Sequence, residues 1–449
     1  MLTLKAVAQK IGAEFKGNDL ELKGVSIDTR TIKPGDLFVA LKATRDGHDF
    51  AAEAVNKGAS CLLVDHPLDL NVPQIIVKDT LIGLGDLARA WRQQFHIPVI
   101  ALTGTAGKTT TKEMIFSILS QIGPTLATQA NLNNAIGVPL TLLNLRQEHK
   151  YAVIEIGTNS PGEISYAVSI ACPTEALITN IHSQHIEKLG SIEGVSQEKS
   201  DIFTALTEQG IAIINHDEPF AASWEAKIAT EHRVTFGLSN HADVRAEHIH
   251  YDFQCCEFDL ISPLGIQSIA IPVGGQHIIM NALGATAATL ALGATLEQVA
   301  NGLAQLKSVG GRFKLYHLPT GAMLIDDAYN ASFKSVENAI DAVKTFNGKK
   351  IFVMTNMGEM GQNAEHYHQK MGEQFNAAGF DAVFLYGNKD LLAAALRACP
   401  KAQYFKEKTE IIDALLPYAH QNDTLILVKG AHAHRMDQIA TQIREYLKA

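Results

Sequence analysis

Residues 97–123 read IPVIALTGTAGKTTTKEMIFSILSQIG, and the order of residue types in this stretch decides the fold. The opening apolar run, ending at Leu102, is partly β-branched and predicts a short buried strand. Two glycines then interrupt the pattern in Gly104-Thr105-Ala106-Gly107-Lys108-Thr109-Thr110. Beyond them, Met114, Ile115, Ile118, Leu119 and Ile122 recur on one face of a helix. Strand, glycine loop and helix in this order predict a phosphate loop. Its glycines let backbone N–H groups turn toward a polyphosphate, and the helix N-terminus adds a favourable dipole. Lys108 supplies a mobile positive charge, and the Thr109 hydroxyl is a ligand for Mg²⁺. The spacing is the shorter GxxGKT form, because Leu102 stands where GxxxxGK[ST] has its first glycine. An ATP or GTP site is the expectation.

Working outward, the apolar runs YAVIEIG (151–157), TEALITNI (174–181) and GIAIIN (210–215) alternate with helical stretches. This alternation predicts βαβ units and a mostly parallel sheet. Residues 234–271 read instead as several consecutive strands. After Gly310-Gly311-Arg312 a further block carries four strand-like runs, AMLIDDAYN, KKIFVMTN, DAVFLYG and DTLILVKG, and predicts another open α/β sheet. Residues 1–85 mix short helical and extended signals around the turn-rich IDTRTIKPGDLFVALKATRDGHDF (27–50). The fold expected is therefore α/β with three domains: a small N-terminal module (1–85), a central phosphate-loop ATPase (86–310) and a C-terminal Rossmann-like domain (311–449).

Composition narrows the function. The 449 residues carry 38 Lys plus Arg against 47 Asp plus Glu, a formal charge of −9, with no long basic tract. That balance argues against nucleic acid or an anionic membrane as the main partner. Five scattered cysteines suit a reduced cytosolic chain, and MLTLKAVAQKIGAEF lacks a signal-peptide pattern, so a cytoplasmic protein is expected. No Asp, Glu, Lys or Arg occurs between Leu260 and Leu296. Pro263, Pro272 and Gly274-Gly275 interrupt that stretch, and a buried helix is expected there, without membrane insertion.

Several polar residues sit at the ends of predicted strands, where open α/β sheets present their ligand sites. Glu155 closes the YAVIEIG run and is a candidate Mg²⁺ ligand, although a carboxylate there serves as often as a cap. His185 follows the next run. Asp326-Asp327-Ala328-Tyr329-Asn330 closes another, and Arg312 stands at the boundary of the last two blocks, within reach of phosphate across a cleft or exposed as a linker charge. Lys199 lies in a helical pattern where a surface lysine is the ordinary reading.

GTAGKTTTKEM (104–114), NLNNAIGVPLTLL (131–143), AVIEIGTNSPGEI (152–164), HIEKLGSIEGV (185–195), GGR (310–312) and DDAYNA (326–331) together resemble the Mur ligases, almost end to end. The asparagine-rich second segment looks like the type that adds D-alanyl-D-alanine, and the DNPR motif of the diaminopimelate-adding type is absent. The resemblance implies an N-terminal domain for UDP-N-acetylmuramoyl-tripeptide, a central ATPase and a C-terminal domain for D-alanyl-D-alanine, acting as a monomer. It implies ATP-dependent amide formation through an acyl phosphate, with two Mg²⁺ ions. By motif match, Lys108 and Thr109 hold phosphate and metal, and Glu155 and His185 are metal ligands. Lys199 is the carbamylated lysine beside the second metal. His277 and Asn281, in GGQHIIMNAL, fall in the adenine region, Asp327 near the ribose, and Arg312 at the domain boundary.

The chain departs from the family pattern at Ile278, where asparagine is usual, and at Ala431-His432, Thr355-Asn356 and Ser332-Phe333. Most of these lie in the C-terminal block and bear on the incoming amine. Three readings follow: the D-alanyl-D-alanine ligase, another ligase of the superfamily with a different amine or of folylpolyglutamate type, and a nucleotide-binding partner without turnover.

Overall fold

A computed structural model describes residues 3–184, 186–307, 310–358 and 360–448, with the backbone alone at His432. Its centre is the strand Val99–Thr103, buried along its whole length as its continuous apolar run demands. It pairs in parallel with Tyr151–Glu155 on one side and Glu175–Ile178 on the other. Thr125–Ala127 completes the first edge, and Ile211–Asn215 and Arg233–Gly237 extend the second. Val244–Tyr251, Cys256–Ser262 and Gly265–Ile271 then finish the sheet, the last two pairings being antiparallel, as the strand-rich 234–271 segment predicts. The polar ends of the parallel strands all open on one edge, which is where the phosphate loop lies.

Both faces of this nine-stranded sheet are covered. Helices Lys108–Leu119 and Gln276–Ala291 pack on one, with Met114, Ile115, Ile118 and Leu119 buried as their spacing requires. Gln276–Ala291 is the charge-free stretch, now seen as a 16-residue helix with Ile279 and Ala282 to Ala288 buried. Among the described residues no helix is long and apolar enough to cross a membrane.

The N-terminal sheet is five-stranded. Gly24–Ser26, Asp36–Val39, Cys61–Val64 and Gln74–Ile76 run parallel, and Glu14–Lys16 joins antiparallel to the last. Helix Thr80–Arg92 follows, started by Asp79, whose carboxylate accepts from the N–H groups of Leu81 and Ile82. Residue 85, the expected first boundary, lies inside this helix. Leu84, Leu87, Ala88 and Trp91 belong to one apolar cluster that contains Leu37 and Leu63 of the first sheet and Ala101 and Ile154 of the second.

The C-terminal sheet runs Lys314–His317, Met323–Asp327, Thr424–Lys429, Lys349–Thr355, Ala382–Tyr386 and Ala402–Phe405, parallel except for its first strand. The four expected strands are present, with one more at each edge.

One buried group works against the fold. Glu175 is 1% exposed, and neither carboxylate oxygen has a hydrogen-bond partner. Burial raises its pKa well above the usual carboxylate range. The unfolded chain therefore loses this proton first as pH rises, so stability is full below about pH 4.5 and declines toward neutrality. Glu175→Met should raise the thermal midpoint at pH 7.5, by about 1–3 kcal/mol of unfolding free energy. Calorimetry at several pH values checks this, and the gain should shrink toward pH 4.

Candidate active site

The phosphate loop is held by the residues that follow the neighbouring strand Glu175–Ile178. Thr105 N–H donates to Asn180 O (2.9 Å) and Ala106 N–H to Asn180 Oδ1 (2.9 Å). Thr179 Oγ1 and Asn180 Nδ2 both donate to Ala106 O (2.7 and 3.0 Å). Asn180 thus takes up the Thr105 and Ala106 N–H groups, so the backbone donors left for a polyphosphate are those at the start of helix Lys108–Leu119. Gly104 and Gly107 adopt φ of 151° and 79°. A Cβ at either would collide with a side chain, Thr179 at the first and Asn281 at the second, so glycine is required twice over. Lys108 meanwhile donates to Gly104 O (2.8 Å), closing the loop on itself.

Glu155 ends its strand beneath the loop and is buried. Its Oε2 accepts from Thr109 Oγ1 (2.8 Å), its Oε1 from Asn133 Nδ2 (2.8 Å), and its N–H donates to Thr128 Oγ1 (2.9 Å). Thr128 is fixed in turn by buried Lys112, which donates to its carbonyl (2.7 Å). A carboxylate and a hydroxyl side by side on rigid strand and helix ends form a hard oxygen donor set, the kind Mg²⁺ takes together with phosphate oxygens. The residues thus fit the expected metal.

Across the cleft stand groups from the C-terminal sheet. Asp327 accepts from Lys429 Nζ (2.6 Å) and from Phe313 N–H (3.2 Å), and Arg312 lies over the Tyr329 ring at 4.1 Å. His277 packs edge-on to Phe313, with ring centroids 6.3 Å apart. Burial pushes its pKa down to about 4, while Asp327 pulls the other way. Burial also lowers Lys108; Glu155 opposes that shift, and the Arg312 charge adds to it. The Lys108 and Arg312 charges both line the cleft, and an anion between them is favoured by each.

One cavity of about 1370 Å³ joins all of this. Thr105, Ala106, Gly107, Lys108, Thr109, Thr110, Glu155, His277, Asn281, Arg312 and Asp327 line it, so the motif-matched residues from two sheets do meet. Ile278 lines it too while packing into the central core. Gly104 shapes the loop from behind. Lys199 sits outside the lining, in helix Ile192–Ser200 and 1% exposed, and its pKa is far below the ordinary lysine value. Burial is the main cause, followed by the like charge of Lys108, with Glu198 opposing. His185 lies outside the described residues.

The departures from the family pattern are accommodated locally. Ser332 and Ser335 form a capping box for helix Phe333–Val343, and Asn356 Oδ1 accepts from Asn388 N–H (3.0 Å). Sequence reasoning missed Asn180, Thr128 and Lys429, whose only signal was a polar residue next to a strand end. It also had no reason to separate Asn133 from its neighbours. Among the described residues, one His/Asp grouping lies within common metal reach, His48, Asp65 and His66 in the N-terminal module. There Asp65 N–H already donates to His48 Nε2 (3.1 Å), and Lys42 pairs with the Asp65 carboxylate (2.5 Å). Those contacts occupy the donors.

Family models match in chain order along the whole architecture. The Mur ligase family catalytic domain covers residues 21–92, the Mur ligase middle domain 102–289, and the Mur ligase glutamate ligase domain 311–432. The UDP-N-acetylmuramoyl-tripeptide–D-alanyl-D-alanine ligase of Escherichia coli K12 is 41% identical over 447 residues, 99% of this chain and 98% of that one. A crystal structure of MurF from Acinetobacter baumannii superimposes with a TM-score of 0.91 at 34% identity, covering 98% of each chain. MurF ligase from Thermotoga maritima in complex with ADP gives 0.86 at 26% identity, covering 95% of this chain and 98% of that one. Identity at this level, sustained through all three sheets, means that the chain belongs to the Mur ligase family.

Proposed function

We propose that this chain is an ATP-dependent, ADP-forming amide ligase that joins D-alanyl-D-alanine to UDP-N-acetylmuramoyl-tripeptide in peptidoglycan precursor synthesis. The observation that carries the reading is the single cavity in which a phosphate loop and Glu155 face Arg312 and Asp327. The D-alanyl-D-alanine ligases among its relatives, matched over nearly their whole length, supply the substrates.

The chemistry is two displacements. The terminal carboxylate of the acceptor peptide attacks the γ-phosphorus of ATP; a P–O bond forms, and the bond to ADP breaks. The amine of the dipeptide then attacks the acyl carbonyl, a C–N bond forms, phosphate leaves and the ammonium proton is given up. Lys108 and Arg312 neutralise charge on the transferring group from opposite sides of the cleft. The N–H groups at the start of helix Lys108–Leu119 hold the polyphosphate, and Asn281, against Gly107, together with His277 shapes the nucleotide end. Mg²⁺, held by Thr109 and Glu155, supplies further charge neutralisation when bound. Asn133 and Thr128 keep Glu155 in place for it.

Lys199 supports a second anionic group. Burial favours its neutral amine, the form that adds to CO₂; an N–C bond forms and a proton is released. The product carbamate replaces a repulsion toward Lys108 with an attraction. It is proposed to serve with His185 at a second cation. The reading further assigns the enzyme to the cytoplasm as a monomer.

Incubation with ATP, Mg²⁺, the UDP-muramoyl tripeptide and D-alanyl-D-alanine should release phosphate only when both the acceptor and the amine are present. ATP binding without any substrate-dependent release would overturn the reading, and turnover with another amine only would shift it within the superfamily.

A further inference from the structure

Strands Val244–Tyr251 and Cys256–Ser262 are joined by a short turn that leaves the central sheet and enters the core of the C-terminal one. The turn is stiff. Asp252 Oδ1 accepts from Gln254 N–H (2.6 Å) and Cys255 N–H (2.9 Å), and Asp252 N–H donates to Cys255 O (3.1 Å). It also rests directly on the Gly274-Gly275 pair. A Cβ at Gly274 would strike the Asp252 carbonyl and the Phe253 backbone, and Cys256 Sγ donates to Gly275 O (3.3 Å). That pair leads into the helix bearing His277 and Asn281.

On its far side the turn grips the C-terminal domain. Phe253 is 7% exposed and clusters with Phe313, Val336, Ala339 and Phe352, which are C-terminal core residues. Its ring stands edge-on to Phe346, with centroids 5.6 Å apart. Tyr251 OH donates to Asp341 Oδ2 (3.0 Å). Asp341 belongs to helix Phe333–Val343, which begins just after the loop that follows Asp327. One rigid turn therefore links the nucleotide end of the central domain to the helix behind Asp327 and Arg312.

We propose that the Tyr251–Phe253 turn is a positioning device that sets the C-terminal domain over the phosphate loop and thereby couples ATP consumption to amide formation. This rests on the ligase reading above. Neither side chain lines the cavity, so both act through the groups they place. An acyl phosphate has two fates. The dipeptide amine attacks it to give the amide, or water attacks the same carbonyl, forming a C–O bond, expelling phosphate and regenerating the carboxylate with loss of a proton. A C-terminal domain held at the correct distance delivers the amine and excludes water; a loosened one favours the second fate.

The measurement is phosphate released per amide formed, with ATP, Mg²⁺, tripeptide acceptor and D-alanyl-D-alanine. The wild-type ratio should be about one, and Tyr251→Phe combined with Phe253→Ser should raise it severalfold while amide formation falls about tenfold. Phe253→Leu, which keeps an apolar plug, should return the ratio to about one. A merely structural role would slow both products together, so a ratio of one in a folded double variant overturns the proposal. Should the double variant fail to fold, isosteric Tyr251→Phe alone is read in the same way: a raised ratio supports the proposal and a ratio of one overturns it. Wild-type protein that forms no amide would instead overturn the ligase reading, and the proposal with it.

Discussion

Lys108→Ala should abolish substrate-dependent phosphate release, by about 10³-fold or more, with the fold intact. The charge lost is the one that the glycine loop presents, and Lys112, the other lysine of helix Lys108–Leu119, is spent on Thr128 and Glu113. Stability should not suffer. Lys108 is held by two backbone carbonyls and experiences Arg312 as a like charge. Removing it relieves that repulsion and the one it imposes on Lys199. Phosphate release and the thermal midpoint, measured on one preparation, check both halves. An unchanged rate would remove Lys108 from the phosphate site.

Lys199→Ala should cost about 10²-fold or more in turnover, although the residue lies outside the cavity lining. The argument is electrostatic. A buried lysine whose ammonium is disfavoured by burial and by Lys108 contributes nothing to stability as a cation, so its retention needs another reason. On the carbamate proposal above, this residue would supply negative charge behind the phosphate loop. Wild-type enzyme stripped of CO₂ should lose activity and regain it with bicarbonate, whereas the alanine variant should not respond. Intact-mass spectrometry under mild conditions should show one added CO₂ in the wild type alone. Near-normal turnover in Lys199→Ala refutes the role.

Much of this site was legible in the sequence, and the reasons are specific. The phosphate loop announces itself because one strand, one loop and one helix are contiguous in sequence, so Lys108, Thr109 and the helix N-terminus could be placed from spacing alone, whereas the pairing of the Thr105 and Ala106 N–H groups with Asn180 could not. The place of Glu155 beside the loop is legible for a related reason: strand ends converge on one edge of a parallel sheet. Lys199 was invisible to the physics of sequence, since helical periodicity makes a lysine in VSQEKSDIF a surface residue; only the family motif singled it out. Asn180 and Thr128 act through contacts between residues tens of positions apart, and no local pattern encodes which strand end lies beside which. That residue 85 lies within a helix was unreadable for a similar reason. Turn chemistry marks where an element stops, but Thr80–Arg92 is a helix that serves two sheets at once.

That shared helix limits how the molecule can be re-engineered. Its apolar face closes the N-terminal sheet and the central sheet in a single cluster, so the N-terminal module is not a detachable cassette. A graft meant to bring in a new acceptor specificity must carry the chain through Arg92. It must also bring a matching surface for Ala171 and Cys172, whose carbonyls accept from the Arg92 guanidinium at 3.1 and 3.2 Å. Chimaeras cut at residue 85 would sever the staple and expose both halves of one core.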